Sequence, residues 1–171
     1  MEFRPLTENE IEVKVGQVKE NGIVALLYKT ARTDMDLLDE TVGPENWTND
    51  YREIKGNLYA GIAIREGDRW TWKWDCGIES REDDGNEKKG EASDAFKRAG
   101  FRWGIGRALY TSPFIWIPKE RCNIREGQKP KCYDKFSVEK IVYSDDGKRI
   151  TALAVWNDTQ KKRAFVWQDT I

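Results

Sequence analysis

Residues 88–110, KKGEASDAFKRAGFRWGIGRALY, decide how the rest of the chain is read. At about 100° per residue, Ala92, Phe96, Ala99, Trp103 and Tyr110 fall on one stripe, while Arg98 and Arg102 stack one turn apart on the opposite side with Lys97 beside them. The spacing predicts one amphipathic helix, its apolar stripe on a core and its cations toward solvent or phosphate. A charged helix face is ordinarily just solvated, but such faces intersperse Glu and Lys at i,i+4 for mutual support. Here Lys97, Arg98, Arg102 and Arg107 follow one another with no acid between them, an arrangement that suits an arriving polyanion. Gly100, Gly104 and Gly106 each disfavour helix by roughly 1 kcal/mol relative to Ala. They mark either a close backbone approach or a helix that ends near Gly104.

Working upstream, Ser80 to Asn86 is polar and acidic and reads as a loop ahead of the helix. Before it lie three strand patterns, Trp47 to Ile54, Leu58 to Arg65 and Arg69 to Ile78. Lys55-Gly56-Asn57 and Glu66-Gly67-Asp68 separate them and suit tight hairpins, so a three-stranded meander is expected. Trp70, Trp72 and Trp74 alternate on one face of the last strand and read as core or subunit interface, with a base-stacking platform as the alternative. A helix through Met35, Leu37, Leu38 and Val42, capped by Thr33 or Asp34, stops at Gly43-Pro44. Gly22 to Tyr28 is a short apolar strand. Thr7-Glu8-Asn9-Glu10 forms a capping box that opens a first helix or an irregular lead-in.

Downstream, Ser112-Pro113 and Ile117-Pro118 favour extended chain, and Cys122 to Tyr133 reads as loop. Phe136 to Tyr143, Arg149 to Trp156 and Arg163 to Gln168 then alternate again, with turns at Asp145-Asp146-Gly147 and Asn157-Asp158-Thr159. The fold class is α+β: an antiparallel β-meander packed against a long basic helix as a β-β-β-α core, with a second, C-terminal β-meander. That second meander either extends the first sheet or packs against it. The 171 residues are read as a single domain, with a core at 26–110 and a C-terminal β extension at 136–168.

Two motifs carry a resemblance. Asp94-Ala95-Phe96-Lys97-Arg98-Ala99 followed by Trp103-Gly104 resembles the Asp-x-x-Lys-Arg-Ala...aromatic-Gly helix of the Rad-fifty-two-type (Rad-fifty-two/Rad-twenty-two superfamily) single-strand annealing proteins. Arg32, then Leu38 to Trp47, is similar to that family's Arg...Leu-x-Glu-x-x-Gly-x-x-x-Trp helix and turn, which there precedes three antiparallel strands and the basic helix. The likeness covers roughly residues 26–110. It implies a protein ring that binds single-stranded DNA without regard to sequence and anneals complementary strands without ATP, in homologous recombination or double-strand break repair. It places Lys97, Arg98 and Arg102 on phosphates, with Arg32 entering from the neighbouring helix. Lys88 and Lys89 are the candidates for an outer site holding the second strand, and Lys55 in the hairpin is a further candidate. Arg107 suits a structural ion pair at least as well as DNA. Phe101 and Ile105, expected near the cationic side, are the candidates for an oligomer interface, since leaving both exposed would be unfavourable by roughly 1.5–3 kcal/mol each.

Composition bounds the reading independently. Net charge is only −1, so the argument rests on distribution: acids gather at Asp34, Asp36, Asp39, Glu40, Glu45 and Asp50 and at 79–87, leaving 88–107 locally cationic. Such segregation also suits head-to-tail self-association. Cys76, Cys122 and Cys132 form no CxxC pair and there is no histidine, so neither a zinc site nor a disulfide framework is indicated. No P-loop is present, and Gly104-Ile105-Gly106 lacks the third glycine of a dinucleotide site. Glu79, Glu82, Asp83 and Asp84 offer a divalent-metal nuclease as an alternative, though consecutive acids in one loop point apart. An end-protecting binder that does not anneal is another. With no base and no nucleophile constellation, a binding protein rather than an enzyme is expected, and no cofactor. The expected partners are single-stranded DNA and further copies of the chain; a single-strand binding protein is a candidate on which these residues bear nothing. No run is apolar enough for a membrane and Met1 to Pro5 is no signal peptide, so a cytoplasmic location in a bacterium or phage-infected bacterial cell is expected.

Overall fold

The computed structural model describes residues 1–78 and 87–170, with the backbone alone for 87–89. In chain order the elements are β1 (Glu12–Lys19), β2 (Gly22–Tyr28), α1 (Ala31–Val42), β3 (Trp47–Ile54), β4 (Asn57–Glu66), β5 (Arg69–Cys76), α2 (Glu87–Arg102), β6 (Ile115–Pro118), β7 (Phe136–Tyr143), β8 (Ile150–Asn157) and β9 (Lys162–Gln168). The architecture is mixed α+β with antiparallel sheets. The chain forms two compact units: Met1–Arg4 with Lys29–Gly106, and Pro5–Tyr28 with Arg107–Ile171.

The first unit holds the sheet β3-β4-β5 and both helices. Its two hairpins turn where the residue pattern placed them; Lys55 and Gly56 both take positive φ, 53° and 76°, as a tight hairpin requires. The central strand β4 supplies the core, with Ala60, Ile62, Ala63 and Ile64 fully enclosed. Helix α1 starts one turn earlier than the sequence suggested. Thr30 is its cap, its hydroxyl accepting from the Thr33 N–H at 3.2 Å, whereas Thr33 and Asp34 lie buried inside the first turn. The helix stops at Gly43, φ 89°, and the chain folds back so that Trp47 Nε1 donates to Asp39 Oδ1 at 2.7 Å. The same indole meets Phe96 of α2 edge-on, ring centroids 6.2 Å apart, so the two sequence motifs share one core contact.

Helix α2 is shorter than the 88–110 stretch. It ends at Arg102 because Gly104 and Gly106 adopt φ of 96° and 69°, left-handed values open to glycine and incompatible with continued helix. Tyr110, assigned to its apolar stripe, instead lies exposed in a separate 3-10 turn, Arg107–Thr111. Phe96 and Ala99 are buried as expected, and Trp103 donates from Nε1 to the Ile62 carbonyl at 2.9 Å.

The second unit is a six-stranded sheet ordered β6-β2-β1-β7-β8-β9. The C-terminal meander therefore joins strands from the other end of the chain and from the 112–118 region; it does not extend the β3-β4-β5 sheet. Strand β1 lies where a first helix or irregular lead-in was expected; the capping box is real but closes only the 3-10 turn Glu8–Glu10, Thr7 N–H donating to Glu10 Oε1 at 2.9 Å. Asn157, fully buried, donates to Asp134 Oδ2 at 2.9 Å and to the Arg121 carbonyl at 3.1 Å, fixing the loop before β7. The three cysteines are unbridged.

A buried ion pair fixes the helices of the first unit. Lys29 and Asp34 are hydrogen-bonded with both side chains essentially out of solvent. Lys29 Nζ also donates to the Ile105 carbonyl at 2.8 Å and sits 3.9 Å from the Phe101 ring centroid. Burial opposes both charges, holding Lys29 down to about 8 and pushing Asp34 up to about 7, against the attraction of each for the other. Gly100 is the residue that lets α2 pass over this pair: a Cβ there would lie 3.0 Å from both Asp34 Oδ1 and Lys29 Nζ. That meets the close-approach reading of Gly100. Asp34→Asn leaves the ammonium buried without its counter-charge and is expected to lower the unfolding free energy in urea by roughly 3–5 kcal/mol. The double variant Lys29→Met/Asp34→Leu should recover part of that loss; a double variant less stable than Asp34→Asn would contradict this account of the pair.

Candidate nucleic-acid interface

The candidate cations lie in the first unit, on the exposed side of α2 and on the elements beside it. On α2, Lys97 is half-buried and close enough to the Lys29–Asp34 pair for its charge to depress both pKa values. The first turn of α1 carries Asp34 and, exposed, Arg32. Among the described residues, neither Lys97 nor Arg32 makes an ion pair. The N-terminal end of a helix favours anions through its unsatisfied N–H groups, so the first turn of α1 adds to the local positive potential.

The two arginines differ from the sequence expectation of uncompensated charge. Arg98 Nε donates to Asp94 Oδ2 at 3.0 Å, one turn back on the same helix. Arg102 Nε donates to Asp75 Oδ2 at 3.0 Å, across from β5. The acid-free interval counted along the sequence was correct but looked in one direction only; the compensating carboxylates precede the cations or come from the sheet. Both arginines remain partly exposed, with side chains 39% and 58% accessible. A partly exposed pair of this kind contributes little net stability.

Lys73 of β5 joins this region without having been singled out. Its ammonium lies 4.4 Å from the Trp103 ring centroid and donates to the Arg102 carbonyl at 3.3 Å, at the negative end of α2. The only sequence signal for it is its place between Trp72 and Trp74, on the face opposite those indoles. Lys29 and Asp34 were equally invisible as a pair, although the cost of Gly100 hinted at a close contact.

The remaining candidates separate. Lys55 is exposed at the β3–β4 turn, and no described contact links it to the α2 cluster. The side chains of Lys88 and Lys89 lie outside the described residues, as does the acidic stretch with Glu79, Glu82, Asp83 and Asp84. Arg107 belongs to the second unit and is exposed. Of the two candidate interface residues, Ile105 is fully buried and Phe101 is half-buried against Lys29. The motive for covering Ile105 with a neighbouring copy is gone, because the chain ends the helix before Ile105 and turns it inward.

No protein-family model matches the chain and no solved structure matches it. Among curated proteins the chain is similar to the single-stranded DNA-binding protein DdrA of Deinococcus deserti, with 30% identity over 115 residues. The aligned region is 66% of this chain and 56% of the relative, so the chain spans little more than half of that protein's length.

Ile105→Ala should cost roughly 2–5 kcal/mol of stability, as a truncation inside a packed core does, and leave the mass measured by light scattering unchanged. A change in mass with unaltered stability would return Ile105 to a subunit interface.

Proposed function

We propose that this protein binds single-stranded DNA without sequence preference and promotes the pairing of complementary strands without ATP, as a Rad-fifty-two-type annealing protein assembled from several copies. The observation that carries the reading is the cationic surface of α1 and α2, where Lys97 and Arg32 make no ion pair among the described residues and Arg98 and Arg102 keep partly exposed side chains beside Asp94 and Asp75. The likeness to a single-stranded DNA-binding protein and the paired motifs at 32–47 and 94–104 support it from the sequence side.

The mechanism follows from the charges. Two complementary strands repel through their phosphates and fold on themselves; a row of fixed cations lowers that repulsion and leaves the bases free to pair. In this arrangement Lys97 and Arg32 contact phosphates directly, while Arg98 and Arg102 exchange Asp94 and Asp75 for phosphate oxygens. Backbone contacts carry no base identity, hence the absence of sequence preference. Pairing releases free energy of its own, so no nucleotide hydrolysis is required.

Mixing the purified protein with complementary labelled oligonucleotides, with and without magnesium and ATP, tests the proposal. Pairing faster than the protein-free control in the absence of ATP is the expected result, with Lys97→Ala and Arg32→Ala each weakening single-strand affinity several-fold and slowing pairing in parallel. Retention of DNA without accelerated pairing would favour an end-protecting binder, and cleavage dependent on magnesium would favour the nuclease reading. Unchanged affinity in both variants would remove these residues from the site.

A further inference from the structure

The β3-β4-β5 sheet has two faces, and α2 occupies one of them. Ile62, Ile64, Trp47, Lys73 and Asp75 point to the helices, and the polar and ring contacts of α2 reach that side. Cross-strand register places Trp70, Trp72 and Trp74 on the other side, opposite Arg65, Ala63 and Gly61 of β4. Among the described residues no helix covers it. Trp70 and Trp72 are each 40% exposed, an unusual condition for side chains of this size.

The indoles are held in place rather than left to move. Gly61 leaves room for Trp74 to lie against the sheet, since a Cβ there would stand 2.6 Å from the ring. Trp72 stacks on Trp74, centroids 5.3 Å apart with 17° between planes. Arg52 lies 4.8 Å from the Trp74 ring centroid and Arg65 5.9 Å from that of Trp70. The Arg65 guanidinium is oriented by the Asn46 amide oxygen, at 2.7 and 3.0 Å, a neutral partner, and makes no ion pair among the described residues. Arg52 has only a loose approach to Asp50, 3.7 Å.

We propose that this open sheet face is a second single-strand site, at which nucleobases stack on Trp70 and Trp72 while Arg52 and Arg65 take the flanking phosphates. This rests on the single-strand binding reading above and adds to it a site that contacts bases, which the cations of α1 and α2 leave free. Size decides between bases and a second copy of the chain. Indoles of up to ~250 Å² each, at the 40% exposure of Trp70 and Trp72, offer roughly 200 Å², against the ~800 Å² per partner that a stable protein interface takes. A few bases fit that area. Charge agrees, because cations flank the aromatic row and polyanion is their complement. Stacking tolerates any base, in keeping with binding that ignores sequence.

The test compares an oligothymidylate with an abasic oligonucleotide of the same length, which keeps the phosphates and lacks the bases. Wild-type protein should bind the oligothymidylate more tightly. Trp70→Leu and Trp72→Leu should each erase about tenfold of that preference while leaving abasic affinity unchanged, whereas Lys97→Ala should weaken both ligands together. Equal affinity of wild-type protein for the two ligands, or variants that keep the full preference, overturns the stacking site while leaving the cationic site standing. Failure of wild-type protein to bind either ligand removes the single-strand reading itself. A lowered mass by light scattering in the Trp variants, with base preference intact, assigns the face to contact between copies instead and overturns the proposal. Photo-crosslinking wild-type protein to iodouracil-substituted oligonucleotide covers variants that fail to fold: crosslinks at Trp70 or Trp72 are expected, and crosslinks confined to other positions contradict the site.

Discussion

The geometry of the first unit depends on one buried ion pair. Lys29, at the junction of β2 and α1, reaches Asp34 in the first turn of α1, the carbonyl of Ile105 just past α2, and the Phe101 ring on α2. One ammonium thereby ties the start of one helix to the end of the other. A buried pair of this kind is weak evidence for added stability, because desolvation offsets much of the attraction. Its consequence is specificity of placement: α2 crosses the pair at Gly100, the position where a side chain would collide with it. Among the described residues Asp34 Oδ2 has no hydrogen-bond partner, so the arrangement is held at some cost.

From that clamp follows the distribution of charge. Fixing α2 over α1 brings Lys97 beside the turn that carries Arg32, and a half-buried ammonium next to a helix N-terminus concentrates positive potential where neither sits alone. Arg98 and Arg102 continue the row along the helix, with Asp94 and Asp75 beside them. The meander contributes on both of its faces: toward α2 it supplies Asp75 and Lys73, and away from it the indoles of β5. One strand, alternating with period two, thus serves a cationic surface and an aromatic one.

Much of this was legible in the sequence, and the parts that were not share a cause. The hairpins of β3-β4-β5 and β7-β8-β9 could be read because alternation and turn residues are local signals. Trp47 and Phe96 were each placed in a motif, but their contact could not be foreseen, since nothing in either segment names its partner. Strand β1, EVKVGQVK, was overlooked because its alternation breaks at the bulge between Val15 and Gln17 and because the capping box ahead of it suggested a helix. Its pairing with both β2 and β7, which builds the six-stranded sheet, is nonlocal and leaves no trace in either neighbour. The cations of α2 can be picked out along the sequence, but the acids that pair with them cannot: Asp75 is 27 residues from Arg102. Nothing in the sequence singles out Lys29, since lysine is ordinarily a surface residue; the cost of Gly100 is the one local sign of a close contact.

The central claim is that fixed cations on α1 and α2 hold the phosphates of a single strand, and the salt dependence of binding measures it most directly. Affinity of the wild-type protein for a single-stranded oligonucleotide, followed as salt rises, should fall linearly on a log–log plot, with a slope of roughly −0.7 for each phosphate neutralised, hence about −2 to −3 for Lys97, Arg32 and the exchangeable arginines. An affinity that does not change with salt would contradict the account.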